Sequence, residues 1–193
     1  MAVASARSFA ETYAPSGNAA RLATFAFLAL VGSALIAIAG KITVPFIPVP
    51  ATMQTLVIFT LAAAYGRKLA VATLLLYLAE GAMGLPVFTK GGGLAYFAGP
   101  TTGYLVGFVI AAGMTGWAAD RGWDRNAFKL FAVNLAGTAL ILALGAAWIA
   151  LAFGAEKAIA WGVGPFIVAD VIKAALAAAL VPAGWQVFNL LRR

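Results

Sequence analysis

FIVADVIKAALAAALV, residues 166–181, is an apolar run of membrane-helix character that carries two opposite charges, Asp170 and Lys173. Its reading decides the fold: a soluble helix would turn those charges to water, whereas a helix in lipid must turn them inward. The rest of the chain selects lipid. Of its 193 residues, 64% are hydrophobic and only 10% charged, with a mean hydropathy of +0.98. Soluble domains hold about 25% charged residues. This chain has too little polar surface for water and reads as an all-α integral membrane protein. It contains no Cys and no His, which excludes disulfides, thiolate chemistry and the commonest general base and metal ligand.

Six apolar segments lie along the chain, at roughly 22–39, 51–65, 69–85, 103–119, 127–153 and 164–190. Crossing about 30 Å of hydrocarbon takes roughly 20 residues. The second segment is short on that measure, so the Pro-rich residues before it are expected at membrane depth. Only Gly66-Arg67-Lys68 separates it from the third. With the N-terminus in the cytoplasm, Arg7, Arg21, Arg67, Lys68, Arg121, Arg125, Lys129, Arg192 and Arg193 fall on the inner side. Lys41, Lys90 and Lys157 fall outside. Nine cations against three follow the positive-inside rule. The expected architecture is therefore six transmembrane helices with both termini cytoplasmic. Residues 1–20 are expected to be a flexible cytoplasmic tail, apart from any short interfacial helix, and 21–193 a single membrane domain. The net charge of +7 then reports topology, not nucleic-acid binding. Arg21, the run after it and Ala37-Ile38-Ala39 have the outline of a cleavable signal, but the run is long for one and is read as a retained span.

Two loops break the pattern. GKITVPFIPVPATMQT, residues 40–55, holds Pro45, Pro48 and Pro50 and cannot be a regular helix. It is either a stiff external connector or a lid over a cavity. Its apolar Val44, Phe46, Ile47 and Val49 favour the lid, because non-helical backbone at membrane depth must pack in protein or line a cavity. GLPVFTKGGGLAYFAGPTTGYLVGF, residues 84–108, sets three consecutive glycines among Phe88, Tyr96, Phe97 and Tyr104. The chain has no GxxxxGK[ST] motif and no strand–loop–helix context for a dinucleotide fold, so nucleotide binding is not expected.

Taken together, PVPATMQT at 48–55, GLPVF at 84–88, GPTTGYLVGF at 99–108 and PFIVADVIK at 165–173 resemble the BioY family. These are the biotin-specific S components of energy-coupling-factor (ECF) transporters. The resemblance runs over about residues 40–180. One departure is Thr102, where the family commonly has glycine. The resemblance implies an S-component-like bundle of six helices, with a biotin pocket open to the outside and capped by the outer loops. It also implies partners: a membrane scaffold subunit and ATPase subunits that hydrolyse ATP. No cofactor or metal is implied.

Biotin presents two ureido N–H donors, a ureido carbonyl, a thioether ring and a carboxylate. A complementary site needs an acceptor, a donor, an apolar wall and a cation or donors for the acid. Asp170 and Lys173 supply an acceptor and a donor on one helix face, about 5–6 Å apart at Cβ. They can equally be a mutually neutralising structural pair; the ligand reading is preferred, since ionisable residues inside a membrane mark function by default. Asp170 lies roughly 8 Å past Pro165 along the helix, in the expected outer half of the bilayer. Lys90 is a candidate for the carboxylate or a solvated loop cation. Gln54 and Thr52 are candidates for hydrogen bonds to ligand or to kinked backbone. Tyr96 and Tyr104 are candidate ring walls or interfacial anchors. Asn134 reads as helix glue, and Glu80 is unassigned. On the first helix Ala29, Ser33 and Ala37 form a small-residue ridge similar to the scaffold-docking motif of S components.

Other functions are poorly served. No reactive constellation for an enzyme is present, and Asp120 and Asp124, interleaved with Arg121 and Arg125, read as a charged cytoplasmic turn. An S component for another vitamin, or a stand-alone ion-coupled secondary transporter using a buried Asp, stays open.

Overall fold

The computed structural model describes residues 8–191, most of them helical. The helices are α1 (Phe9–Thr12), α2 (Asn18–Lys41), α3 (Gln54–Ala82), α4 (Thr102–Ala119), α5 (Ala127–Phe153), α6 (Ala155–Gly162) and α7 (Ile167–Leu191). A small hairpin pairs β1 (Thr43–Val44) antiparallel with β2 (Ala51–Thr52). Helices α2, α3, α4, α5 and α7 are long and apolar enough to cross a membrane. Lipid imposes this outcome, because backbone polar groups without water must pair within their own segment. The ends of α5 show how a segment starts and stops. The Asn126 side chain accepts from the Lys129 amide at 3.0 Å, and Gly154 leaves the helix at φ 103°.

The second and third apolar segments form one element, α3, broken at Gly66. Gly66 has φ 76° and ψ 172°, a region that only glycine occupies without strain. The break is a reversal: Gln54 Nε2 donates to Tyr77 Oη at 2.8 Å, although these residues would be about 35 Å apart along a straight helix. The two arms of α3 therefore run antiparallel. The arm over 54–65 is about 18 Å long, short of the ~30 Å hydrocarbon layer, and the Pro-rich hairpin completes its length. A side chain at Gly66 would overlap the Asp120 carboxylate. Asp120 Oδ2 accepts from the Arg67 amide at 3.1 Å, and Ser8 Oγ donates to the Tyr65 carbonyl at 3.1 Å.

The Gly66 end corrects one expectation and fills in another. Asp124 is not in a solvated turn but fully buried, accepting from Trp185 Nε1 at 2.6 Å, with the Arg125 guanidinium 4.7 Å from that ring. Burial pushes the carboxyls of Asp120 and Asp124 above the usual carboxylate range. Residues 8–13 carry α1, a short helix within the expected tail. Phe9 packs edge-on to Trp185 and Phe188, with centroids at 4.6 and 5.5 Å, the arrangement that sets a positive ring edge against a negative ring face. The rest of the expected tail, residues 1–7, and the cations Arg7, Arg192 and Arg193 lie outside the described residues.

In the bundle centre, Gly103 and Gly107 let α4 approach α5 closely. A Cβ at Gly103 would overlap the Leu144 carbonyl, and one at Gly107 would lie 2.9 Å from Ile141 Cα. Asn134 is the expected glue: its Nδ2 donates to the Ala174 carbonyl at 3.3 Å and its Oδ1 accepts from Thr115 at 3.1 Å. One buried amide thus joins α4, α5 and α7.

The reversal at Gly66 makes a testable statement. Gly66→Ala is expected to lower stability by about 1–3 kcal/mol from backbone strain alone, with overlap on Asp120 adding to it. Thermal unfolding in detergent measures this, and an unchanged midpoint would mean the turn is not built as described.

Candidate functional site

At the bundle end opposite Gly66, the loops and helices enclose a narrow cavity of about 50 Å³. That is well below the ~300–1,000 Å³ of small-molecule sites, so a ligand must displace the covering loops to enter. Its polar centre is the pair first seen in the sequence. Lys173 Nζ donates to Asp170 Oδ1 at 2.8 Å, and both side chains are under 10% exposed. The same Oδ1 accepts from Thr55 Oγ1 at 3.1 Å, and Lys173 Nζ also donates to the Thr52 carbonyl at 2.7 Å. The i, i+3 spacing on α7 makes the pair meet, and the start of α3 supplies both outside partners. Two valences remain. Lys173 has three donors and uses two; Asp170 Oδ2 has no hydrogen bond among the described residues.

Only the end of the Pro-rich segment, from Val49 onward, lids the cavity; Val44, Phe46 and Ile47, expected to pack inward, are exposed. The β1–β2 hairpin turns Val49 and Ala51 inward, both buried, and leaves Ile47 89% exposed. The Ile47–Pro48 peptide is cis. Phe46 lies edge-on to Phe166, centroids 6.2 Å apart. Two lysines join this lid to the Gly-rich loop: Lys41 Nζ donates to the Phe88 carbonyl at 2.6 Å and Lys90 Nζ to the Pro48 carbonyl at 3.4 Å. Within the Gly-rich loop, Phe88 pairs with Gly91 through both backbone bonds, 3.0 and 3.2 Å. Its buried ring then packs with Tyr77, Tyr96 and Phe97.

Of the residues singled out in the sequence, Asp170, Lys173, Thr52, Gln54, Tyr96 and Tyr104 all line this one cavity. Their freedom differs. Gln54 is occupied by Tyr77 and by Thr52 Oγ1 at 3.1 Å, so it frames the wall. Tyr104 donates to the Gly162 carbonyl at 2.6 Å and offers its ring, 5.8 Å from that of Phe166. Lys90 is not in the cavity wall; it is exposed and bonded to the lid.

The ridge Ala29, Ser33 and Ala37 is not a free docking surface. Ala29 and Ser33 are buried and Ala37 is half-buried. Ser33 Oγ donates to Glu80, which answers the unassigned Glu80 as well. The ridge is consumed in packing α2 on α3, where close approach needs small residues. The exposed face of α2 carries Phe27, Leu30 and Ile38.

Thr55, Tyr77, Phe88 and Phe166 also line the cavity and were missed. Thr55 was legible as the i+3 neighbour of Thr52 in the quoted PVPATMQT. Tyr77 was not, since a tyrosine inside an apolar run carries no sign of where it points.

A helical membrane bundle that shuts an ion pair with open valences inside a cavity has the build of a solute-handling membrane protein. Residues 12–190 match the BioY family, and the chain belongs to that family. It is a transporter S component, not an enzyme. The chain is 38% identical over 145 residues to the probable biotin transporter BioY of Pyrococcus horikoshii, covering 75% of this chain and 85% of that one. It is 38% identical over 151 residues to the biotin transporter BioY of Thermotoga maritima, covering 76% and 86%. Its fold matches the crystal structure of the S-component for biotin from an ECF-type ABC transporter. The TM-score is 0.75 at 26% identity, covering 89% of this chain and 95% of the other.

The energetics of the pair can be separated from ligand binding. Lys173→Ala leaves a buried, uncompensated carboxylate and is expected to cost about 3–5 kcal/mol of stability. Replacing both, Asp170→Asn with Lys173→Met, is expected to cost far less. Thermal unfolding without ligand compares them. Equal losses in the two variants would contradict the pairing.

Proposed function

We propose that this chain captures biotin from the outer side of a bacterial cytoplasmic membrane, as the substrate-binding subunit of an ECF-type transporter. The observation that carries this reading is the Asp170–Lys173 pair, which retains one acceptor and one donor in a cavity beneath the Pro-rich and Gly-rich loops. A ureido group presents the complementary set. Asp170 Oδ2 would accept a ureido N–H, and the third Lys173 proton would meet the ureido carbonyl. Phe88, Tyr96, Tyr104 and Phe166 would enclose the bicyclic ring. Lys90, outside the cavity wall and bonded to Pro48, would meet a carboxylate only if the ligand's acid reached past the lid. Burying the pair's open valences against a matching ligand strengthens each bond, because the surroundings are poor in competing water.

Six crossings with both termini cytoplasmic fit the two antiparallel arms of α3 and the cation bias. On this orientation the lid faces outward. Release requires breaking the Lys41–Phe88 and Lys90–Pro48 clamps, and no group in the described residues supplies energy for it. A scaffold subunit and ATPase subunits would do so. The apolar side of α2 is the surface left for the scaffold, in place of the buried ridge.

Calorimetric titration of the purified chain with biotin, thiamine and riboflavin tests the reading. Biotin is expected to bind one-to-one, and Asp170→Asn to weaken it roughly 10–100-fold, as loss of a charge-assisted hydrogen bond does. Preference for thiamine or riboflavin would make the chain an S component for another vitamin. Energised biotin accumulation by the chain alone in vesicles would make it an ion-coupled transporter.

A further inference from the structure

A second concavity lies on the other face of α4 from the cavity just described: Phe108 lines the first and Val109 the second. It is an open groove of about 730 Å³ between the second arm of α3, α4 and α5. Its walls are Val71, Val109, Met114 and Ala136, and its floor at Gly113 is a glycine. Val109 and Trp117 mark its length on α4, about 12 Å at 1.5 Å per residue. Through that length it offers no polar partner; a hydrophilic ligand would gain nothing there. At the Gly66 end the chemistry changes sharply. Arg67 lines the groove with an exposed side chain that makes no ion pair among the described residues. Trp117 closes the same end, and the Arg121 guanidinium lies 3.7 Å from its ring centroid. Lys68, next in the chain, is exposed as well. Asp120, which accepts from the Arg67 amide, has Glu11 and Asp124 as neighbouring carboxylates, and Arg121 also donates to the Trp117 carbonyl at 3.3 Å. An apolar trough with one guanidinium in its wall and a second stacked on the tryptophan that closes it matches an amphiphile with one apolar tail and an anionic head.

We propose that this groove is a binding site for an anionic phospholipid. An acyl chain lies along α4 over Gly113, and the phosphate is held by Arg67 and Arg121. Guanidinium suits this role, since its planar fork bonds two phosphate oxygens at once. On the orientation proposed above, the lipid belongs to the cytoplasmic leaflet, and it would brace the Gly66 turn that Arg67 begins. The site rests on the membrane reading of the chain and not on which vitamin fills the cavity.

Native mass spectrometry of the full chain, released from vesicles of equal phosphatidylglycerol and phosphatidylcholine with matched tails, tests this. One phosphatidylglycerol per chain is expected to be retained in preference to phosphatidylcholine. Arg67→Gln and Arg121→Gln should each lower retention about fivefold, as removal of one cation near an anionic surface does. Gly113→Leu, which fills the trough, should abolish it. Should Gly113→Leu not fold, the two arginine variants, altered only at exposed side chains, decide the matter. Equal retention of both lipids, or retention unaffected by both arginine changes, overturns the proposal. So does cross-linking of a cysteine placed at Ala136 to a partner subunit in the assembled transporter, which would make the groove a protein interface. Biotin titration of the same samples separates a failed groove from a failed ligand assignment: the groove variants should titrate like the parent chain.

Discussion

The buried pair Asp170–Lys173 constrains the rest of the molecule. Two charges cannot rest in lipid, and neither can stay buried without the other plus enough hydrogen bonds to replace lost water. The helix that carries them supplies only their mutual contact. The remaining partners, Thr55 Oγ1 and the Thr52 carbonyl, come from the point where the Pro-rich hairpin becomes α3. Satisfying the pair therefore fixes where α7 meets α3 and where the lid must sit. The fold and the site share one set of bonds.

That sharing explains why the cavity is closed by loops and not by helices. The first arm of α3 is too short to fill the membrane, and the hairpin fills the difference with Val49 and Ala51 packed inward. Lys41 and Lys90 then tie the hairpin to the Gly-rich loop through backbone carbonyls. Such cation–carbonyl bonds hold the lid without burying another ion pair. A lid held this way opens by breaking a few polar contacts, while the aromatic cluster around Phe88 keeps its loop in place.

Much of this was legible in the sequence, for physical reasons. Length and apolarity mark membrane helices strongly, so α5 was read at its observed limits and α4 within a residue. The i, i+3 pair on α7 was readable because helical spacing dictates which side chains meet. Long-range partners were not. The six-span reading implies the reversal at Gly66-Arg67-Lys68, but not which side chains of the two arms then face each other, so the Gln54–Tyr77 contact was out of reach. The ridge at Ala29 and Ser33 shows the converse error: small residues permit close approach but do not say to what. Asp124 looked solvated beside its arginines; Trp185, 61 residues away, is what buries it.

The central claim is that the ion pair is both the keystone of the fold and the reader of the ligand. The most direct measurement is a crystal structure of the chain with biotin bound. The account predicts the ureido group in the enclosed cavity, within hydrogen-bonding distance of both Asp170 and Lys173, with the Asp170–Lys173 contact retained. Biotin bound elsewhere, or in the cavity with its ureido group turned away from both residues, would contradict it.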